Sequence, residues 1–185
     1  NEGNARLVSS IGNCHICVVG MEKIVESIED AMLMVLAHPV SASGQLPTTY
    51  VTWMHGRSPL GEGEGPPRES HIVILDNGRT EMRDDPEPVM KESLYCIRCG
   101  ACTNICPTFG ILGGHKFGYL YPGPMGIGWT AGVHGLKEAA DFAQFCISCG
   151  LCKDICPAKI DMPMIIAEVK HRDAQKNGYP KVNKV

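Results

Sequence analysis

No stretch of this 185-residue chain approaches the ~18–20 consecutive apolar residues of a membrane-spanning helix, so no direct membrane span is expected. There is no block of Lys or Arg and no basic patch interleaved with aromatics. The net charge is -3, which makes nucleic acid a poor partner. No secretion leader is visible. No G-x-G-x-x-G follows a predicted strand, which argues against a flavin or nicotinamide fold. An initiator methionine is also missing: the chain opens on Asn1, and we expect a fragment of a longer protein. The remaining balance, 44% apolar and 20% charged, is ordinary for a soluble globular protein of one domain or two small ones.

Cysteine, by contrast, is abundant. Eight of the ten fall into two copies of C-x2-C-x2-C-x3-C-P: Cys96, Cys99, Cys102 and Cys106 before Pro107, then Cys146, Cys149, Cys152 and Cys156 before Pro157. This is the thiolate run of bacterial ferredoxins, in which three close cysteines hold three irons of a 4Fe–4S cube and the fourth reaches the other cube. Cysteines at intervals of three wind a turn around one corner of the cube. Small or backbone-exposing residues between them (Gly100, Ala101; Gly150, Leu151) let main-chain N–H groups point at the sulfurs. The longer last step turns the fourth cysteine away, and the proline after it ends the turn because it has no N–H. Zinc also uses C-x2-C pairs, but it draws four ligands from two pairs rather than from a repeated four-cysteine run. Disulfides between such near neighbours would close small strained loops.

Two 4Fe–4S clusters are therefore the expected cofactors. The first would sit on Cys96, Cys99, Cys102 and Cys156, the second on Cys106, Cys146, Cys149 and Cys152. Two clusters in series make an electron relay, and thiolates held this way fit a reducing cytoplasm. Pro88–Tyr95 and Leu136–Phe145 read as helices leading into the first cysteine of each run. Asp161 is placed to cap a helix from Met162 to about Gln175, with Pro163 in its tolerated first turn and Met162, Ile165, Ile166 and Val169 at helical spacing. Residues 86–185 thus read as an all-helical two-cluster ferredoxin-like domain. Gly123, Gly126, Gly128 and Gly132 suggest a loop wrapping the clusters, with His115 and His134 in it. Those histidines are read as surface or hydrogen-bonding groups, with a cluster-tuning role as the alternative. Arg98, Lys153 and Lys159 lie in or just after the cysteine runs, either as solvated cations or as charges that raise a cluster potential.

Residues 1–85 read as part of an α/β domain. Cys14–Val19 suggests a short buried strand and Glu22–Ala37 an amphipathic helix stopped by Pro39. Residues 48–54 and 71–75 suggest two more strands, separated by an exposed Gly/Pro-rich loop over Arg57–Glu69. Such a piece buries little by itself. Cys14 and Cys17 form a lone C-x2-C, but residues three apart on a strand face opposite ways, so we expect neither a shared metal nor a disulfide. His15 reads as an ordinary strand residue. The overall fold class is α+β, and the last residues (171–185) read as a partly frayed polar tail.

Several stretches together resemble the lactate-utilisation iron–sulfur protein family: NEGNARLV at 1–8, GMEKIVESIED at 20–30, SASGQ at 41–45, HIVILDNGR at 71–79, GGHKFGYLYPGPMG at 113–126 and the two cysteine runs. The resemblance implies the end of an α/β domain of CoA-transferase and sugar-phosphate-isomerase kinship (the LUD type) ahead of a helical ferredoxin domain. It further implies a cytoplasmic complex oxidising L-lactate or a related hydroxy acid, with other redox subunits as partners and this chain passing electrons without a substrate site of its own. The alternative is an electron-transfer subunit of a heterodisulfide-reductase-like complex, which would lack the α/β piece. A third reading makes the α/β piece an active CoA-transferase or isomerase. Glu2 is where its glutamate would be sought, but NEGN departs from that motif and no phosphate loop is visible.

Overall fold

The computed structural model describes residues 2–46, 48, 51–54 and 69–178. The chain divides into two compact units, Asn1–Val40 with Gly44–Asp76, and Asn77–Val185 with Ser41–Ser43.

The first unit holds α1 (Glu2–Ile11), β1 (Cys14–Gly20), a 3-10 turn at Met21–Lys23, α2 (Ile28–Ser43) and β2 (Glu69–Leu75). The strands pair in parallel, from Cys14 opposite Glu69 to Gly20 opposite Leu75. Parallel neighbours need a crossover connection, and α2 lies within it. The sequence predicts a buried β1. Instead its residues alternate between exposed and half-buried, all of β2 is exposed, and no described residue of this unit is buried. With only two strands paired, β1 and β2 have no further sheet neighbour among the described residues.

The helix predicted over Glu22–Ala37 runs instead over Ile28–Ser43. Ser27 decides its start: the backbone there is extended, and its hydroxyl accepts a hydrogen bond from Asp30 N–H at 3.1 Å. Pro39 lies inside α2 rather than ending it. A proline there gives up one backbone hydrogen bond, and the helix ends only where Gly44 turns left-handed at φ 70°. The strand predicted over 48–54 does not form at Thr48 or at 51–54. Its other positions, and the loop predicted over Arg57–Glu69 as far as residue 68, lie outside the described residues; Glu69 begins β2 instead.

The second unit is helical among its described residues apart from one bridge between Gly118 and Pro122. It contains α3 (Arg79–Arg83), α4 (Pro88–Lys91) continued by a 3-10 turn at Glu92–Tyr95, α5 (Ala101–Ile105) and α6 (Pro107–Leu112). There follow α7 (Gly123–Val133), α8 (Leu136–Ala143), α9 (Leu151–Asp154) and α10 (Met162–Asn177). Its core gathers Ile127 and Trp129 from α7, Ala139 and Ala143 from α8, and Ile165, Ile166 and Val169 from α10. Each large side chain buried this way contributes roughly 1.5–3 kcal/mol. α10 starts as its sequence predicts: Asp161 accepts from Met164 N–H at 3.3 Å, and Pro163 occupies the first turn. It runs to Asn177, just past the predicted end near Gln175, so the tail read as partly frayed is helical over 171–177, while 179–185 lie outside the described residues.

The glycine cluster forms a helix, α7, and not a loop. Pro124 sits in its first turn, a position that needs no N–H. A Cβ on Gly126 would stand 1.8 Å from the Tyr121 carbonyl oxygen, and one on Gly128 would stand 2.7 Å from Ile165 Cγ2. These glycines are there for close packing. Each costs about 1 kcal/mol of helix propensity against alanine, and a helix buried along most of its length offsets that.

One polar clamp ties the chain ahead of α4 to α10. Arg172 meets Asp85 with two parallel hydrogen bonds (2.7 and 2.6 Å) and donates through Nε to Glu168 at 2.7 Å. The Arg172 guanidinium holds the Asp85 carboxyl below the usual carboxylate range despite partial burial, helped by the Glu87 N–H. Replacing Asp85 with Asn should lower unfolding free energy by about 1–3 kcal/mol. A carboxyl with a lowered folded pKa stabilises above its ordinary value of 3.8 and loses that contribution only as pH falls below it. The gap between wild type and variant in urea melts should therefore stay constant from about pH 8 to pH 5. A gap that closes within that range would show that Asp85 stabilises by other means.

Candidate metal centres

Both cysteine runs begin with one backbone shape. Arg98 and Gly100 in the first have φ of 63° and 81°; Ser148 and Gly150 in the second have 58° and 84°. In each run the residue two past the first cysteine donates its N–H to that cysteine's sulfur: Arg98 to Cys96 Sγ and Ser148 to Cys146 Sγ, both at 3.4 Å. Positive φ suits glycine and strains arginine or serine by roughly 1–2 kcal/mol. The strain curls the chain so that N–H groups converge on anionic sulfur. α5 and α9 start directly after the two glycines and carry Cys102 and Cys152 into the core. Pro107 does more than end its turn, because it opens α6 at the first position, straight after Cys106.

The cysteines gather into two sets. Cys96, Cys99, Cys102 and Cys156 line a cavity of about 260 Å³, walled by Tyr121, Met125, Ile160 and Met162. Cys106, Cys146, Cys149 and Cys152 line a tighter one of about 20 Å³, walled by Phe117, Pro124 and Pro163. Each set takes three cysteines of one run and the last cysteine of the other.

Burial pushes the Cys102 thiol up to about 12, with Cys96, Cys152 and Cys99 adding to the effect; the N–H of Met125 works against it. Burial likewise pushes Cys152 up to about 11, with Cys146 and Cys149 adding. Four thiolates packed so closely in an apolar wall repel one another and lose water, so a bound cationic group is needed to keep them ionised. Soft all-thiolate donors, apolar walls and N–H groups aimed at sulfur are the chemistry an iron–sulfur cluster requires.

The other predicted residues sort differently. Cys14 is exposed and Cys17 half-buried, in opposite phases of β1. Cys14 instead lies across the register from Glu69, and its sulfur comes within 4.8 Å of ligand atoms of Glu69 and His71, all three residues being exposed. His115 and His134 line neither cavity; His134 follows α7 and meets the Tyr119 ring edge-on at 5.1 Å. Lys153 pairs with Asp161, whose carboxylate raises its pKa. Lys159 takes a left-handed backbone, φ 56°.

Two contacts escape sequence reasoning. Lys170 Nζ donates to the Cys146 carbonyl at 3.1 Å. The Arg98 guanidinium lies 4.4 Å from the Tyr121 ring centre and 4.0 Å from that of Trp129. Both join residues more than twenty positions apart, and no local pattern encodes them. Among the described residues no helix is long and apolar enough to cross a membrane.

The 4Fe-4S dicluster domain family matches residues 92–160, and the LUD domain family matches residues 1–75. A dicluster domain carries two 4Fe–4S clusters, the cofactors of this chain. Lactate utilization protein B of Shouchella clausii is 40% identical over 93% of the chain and 35% of its own length. Lactate utilization protein B of Bacillus licheniformis is 35% identical over 96% of the chain and 36% of its own length. The uncharacterized electron transport protein YkgF of Escherichia coli is 40% identical over 76% of the chain and 29% of its own length. The chain thus spans about a third of the length of the curated relatives it matches. No solved structure matches it. A LUD segment followed by a dicluster domain, with relatives of one name along nearly all of its length, makes the chain a member of the lactate-utilisation iron–sulfur protein family.

Proposed function

We propose that the chain passes electrons one at a time through two 4Fe–4S clusters in a cytoplasmic complex that oxidises L-lactate, or a related hydroxy acid, to the keto acid. Cys96, Cys99, Cys102 and Cys156 hold the first cluster, and Cys106, Cys146, Cys149 and Cys152 the second. The observation that carries this reading is the interleaving of the two runs, each cavity being lined by three cysteines of one run and the last of the other. The names of the relatives, lactate utilization and electron transport, support the physiological setting. Residues 86–185 act as the ferredoxin-like domain, and residues 1–85 as the end of an α/β domain of CoA-transferase and isomerase kinship.

Each cluster, when bound, takes up and releases a single electron. The chain's own residues do the rest. The thiolates fix position, the N–H groups of Arg98 and Ser148 offset charge on sulfur, and Met125, Ile160 and Met162 give the first site an apolar wall. A hydroxy acid gives up two electrons and two protons, so its carbon chemistry needs a hydride or electron-pair acceptor, which the resemblance assigns to another subunit. Those subunits are the partners.

Protein prepared without oxygen should hold about eight irons and eight sulfides per chain. Iron near half that value in undamaged protein, or stoichiometric zinc, would contradict the reading. Cys156→Ser should damage the cluster of Cys96, Cys99 and Cys102 while sparing the other, as read by electron paramagnetic resonance. Selective loss of the cluster on Cys146, Cys149 and Cys152 would reverse the assignment. The purified, flavin-free chain should accept electrons from a strong reductant yet fail to reduce a dye with lactate. Steady lactate-dependent reduction by the chain alone would place the carbon chemistry here after all.

A further inference from the structure

The two cysteine runs are near-copies in backbone, which makes their differences informative. The third residue of each run takes the same left-handed shape and makes the same bond to sulfur, yet it is Arg98 in the first and Ser148 in the second. Arg98 lines the first cavity together with its four cysteines. Its Nε is buried, and its guanidinium lies against Tyr121 at 4.4 Å and Trp129 at 4.0 Å, the indole being fully buried. A guanidinium stays protonated at any working pH and stacks on aromatic faces, so this charge is both permanent and fixed in place.

We propose that Arg98 is a potential-tuning residue, a cation clamped against Tyr121 and Trp129 that makes the cluster on Cys96, Cys99, Cys102 and Cys156 easier to reduce than it would be without the charge. The proposal rests on the cluster assignment given under Proposed function. An added electron makes a cluster more negative, and a fixed cation beside it lowers the energy of that reduced form. Tyr121, Met125 and Ile160 wall the same cavity, and apolar neighbours screen a nearby charge less than bulk water does.

Other charges nearby are placed differently: Lys159, between Ala158 and Ile160 of the lining, is exposed and does not itself line the cavity. Arg79 reaches the Trp129 ring from 5.3 Å and does not line the cavity. Lys153 is paired with Asp161, and the Asp161 N–H is bonded to Glu92 at 2.8 Å. Lys170 is bonded to the Cys146 carbonyl and so belongs to the second site. At the position equivalent to Arg98 the second site has the uncharged, exposed Ser148.

The test is a redox titration of the anaerobically loaded full chain, followed by electron paramagnetic resonance, for wild type, Arg98→Gln and Arg98→Lys. Iron is counted first. Arg98→Gln should lower one midpoint potential and leave the other in place, and Arg98→Lys should recover most of the drop. The signal that moves should be the one disturbed by Cys99→Ser and spared by Cys149→Ser. Two intact clusters with unmoved potentials in Arg98→Gln, or an equal shift in both, would overturn the proposal. Should Arg98→Gln fail to load iron, Tyr121→Leu decides: it keeps the charge but removes one face of the clamp, so the first potential falls on the proposal and holds otherwise. Wild-type protein with fewer than two clusters strikes the cluster assignment beneath the proposal, which separates that failure from this one.

Discussion

Eight soft thiols brought into one small helical unit set the terms for everything around them. Ionised and brought close, they repel one another, and burial, with neighbouring cysteines adding, drives Cys102 and Cys152 toward their protonated forms. The rest of the unit is arranged to make that grouping tolerable. Left-handed turns at Arg98 and Ser148 bring N–H groups to sulfur, and apolar side chains close over the cysteines from Met125, Ile160 and Met162. The hydrophobic core and the cysteines are one object, since Cys102, Cys152 and Cys156 are buried members of the same cluster as Trp129, Ile165 and Val169. Packing energy from α7, α8 and α10 thus holds in place side chains that would otherwise drift apart.

The cysteine spacing was legible because it is local. A thiolate run with fixed intervals encodes its own turn, and the two runs adopt matching φ values. The start of α10 was legible for the same reason, since Asp161, Pro163 and the apolar stripe all act within two turns. Less visible were features decided by partners far along the chain. The glycines of α7 look like loop residues until Tyr121 and Ile165 are placed against them, after which only the smallest side chain fits. In α2 a cap at Ser27 outweighed the apolar periodicity that pointed to an earlier start, and the helix runs through Pro39 as far as Gly44. The clamp on Arg98 depends on Tyr121 and Trp129, neither of which any sequence window contains alongside it.

The first unit follows a different logic. Its two parallel strands and two helices leave Ile16, Val18, Ile72 and Ile74 well exposed, and none of its described residues reaches the burial common in the helical unit. Strand propensity and parallel register define β1 and β2 although no described residue of the unit is buried. Burial was the part that could not be inferred, because it depends on what covers a face and not on what the face contains.

The first turn of α10 serves both cysteine sets at once. Met162 lines the cavity of Cys96, Cys99, Cys102 and Cys156, while Pro163, its immediate neighbour, lines that of Cys106, Cys146, Cys149 and Cys152. A single peptide bond therefore acts as the party wall between two chambers, and its length does not change. Asp161 pins that wall by capping the helix, and Arg172 anchors the same helix to Asp85 further along. The helix cannot slide along its axis to widen one chamber without moving the wall of the other.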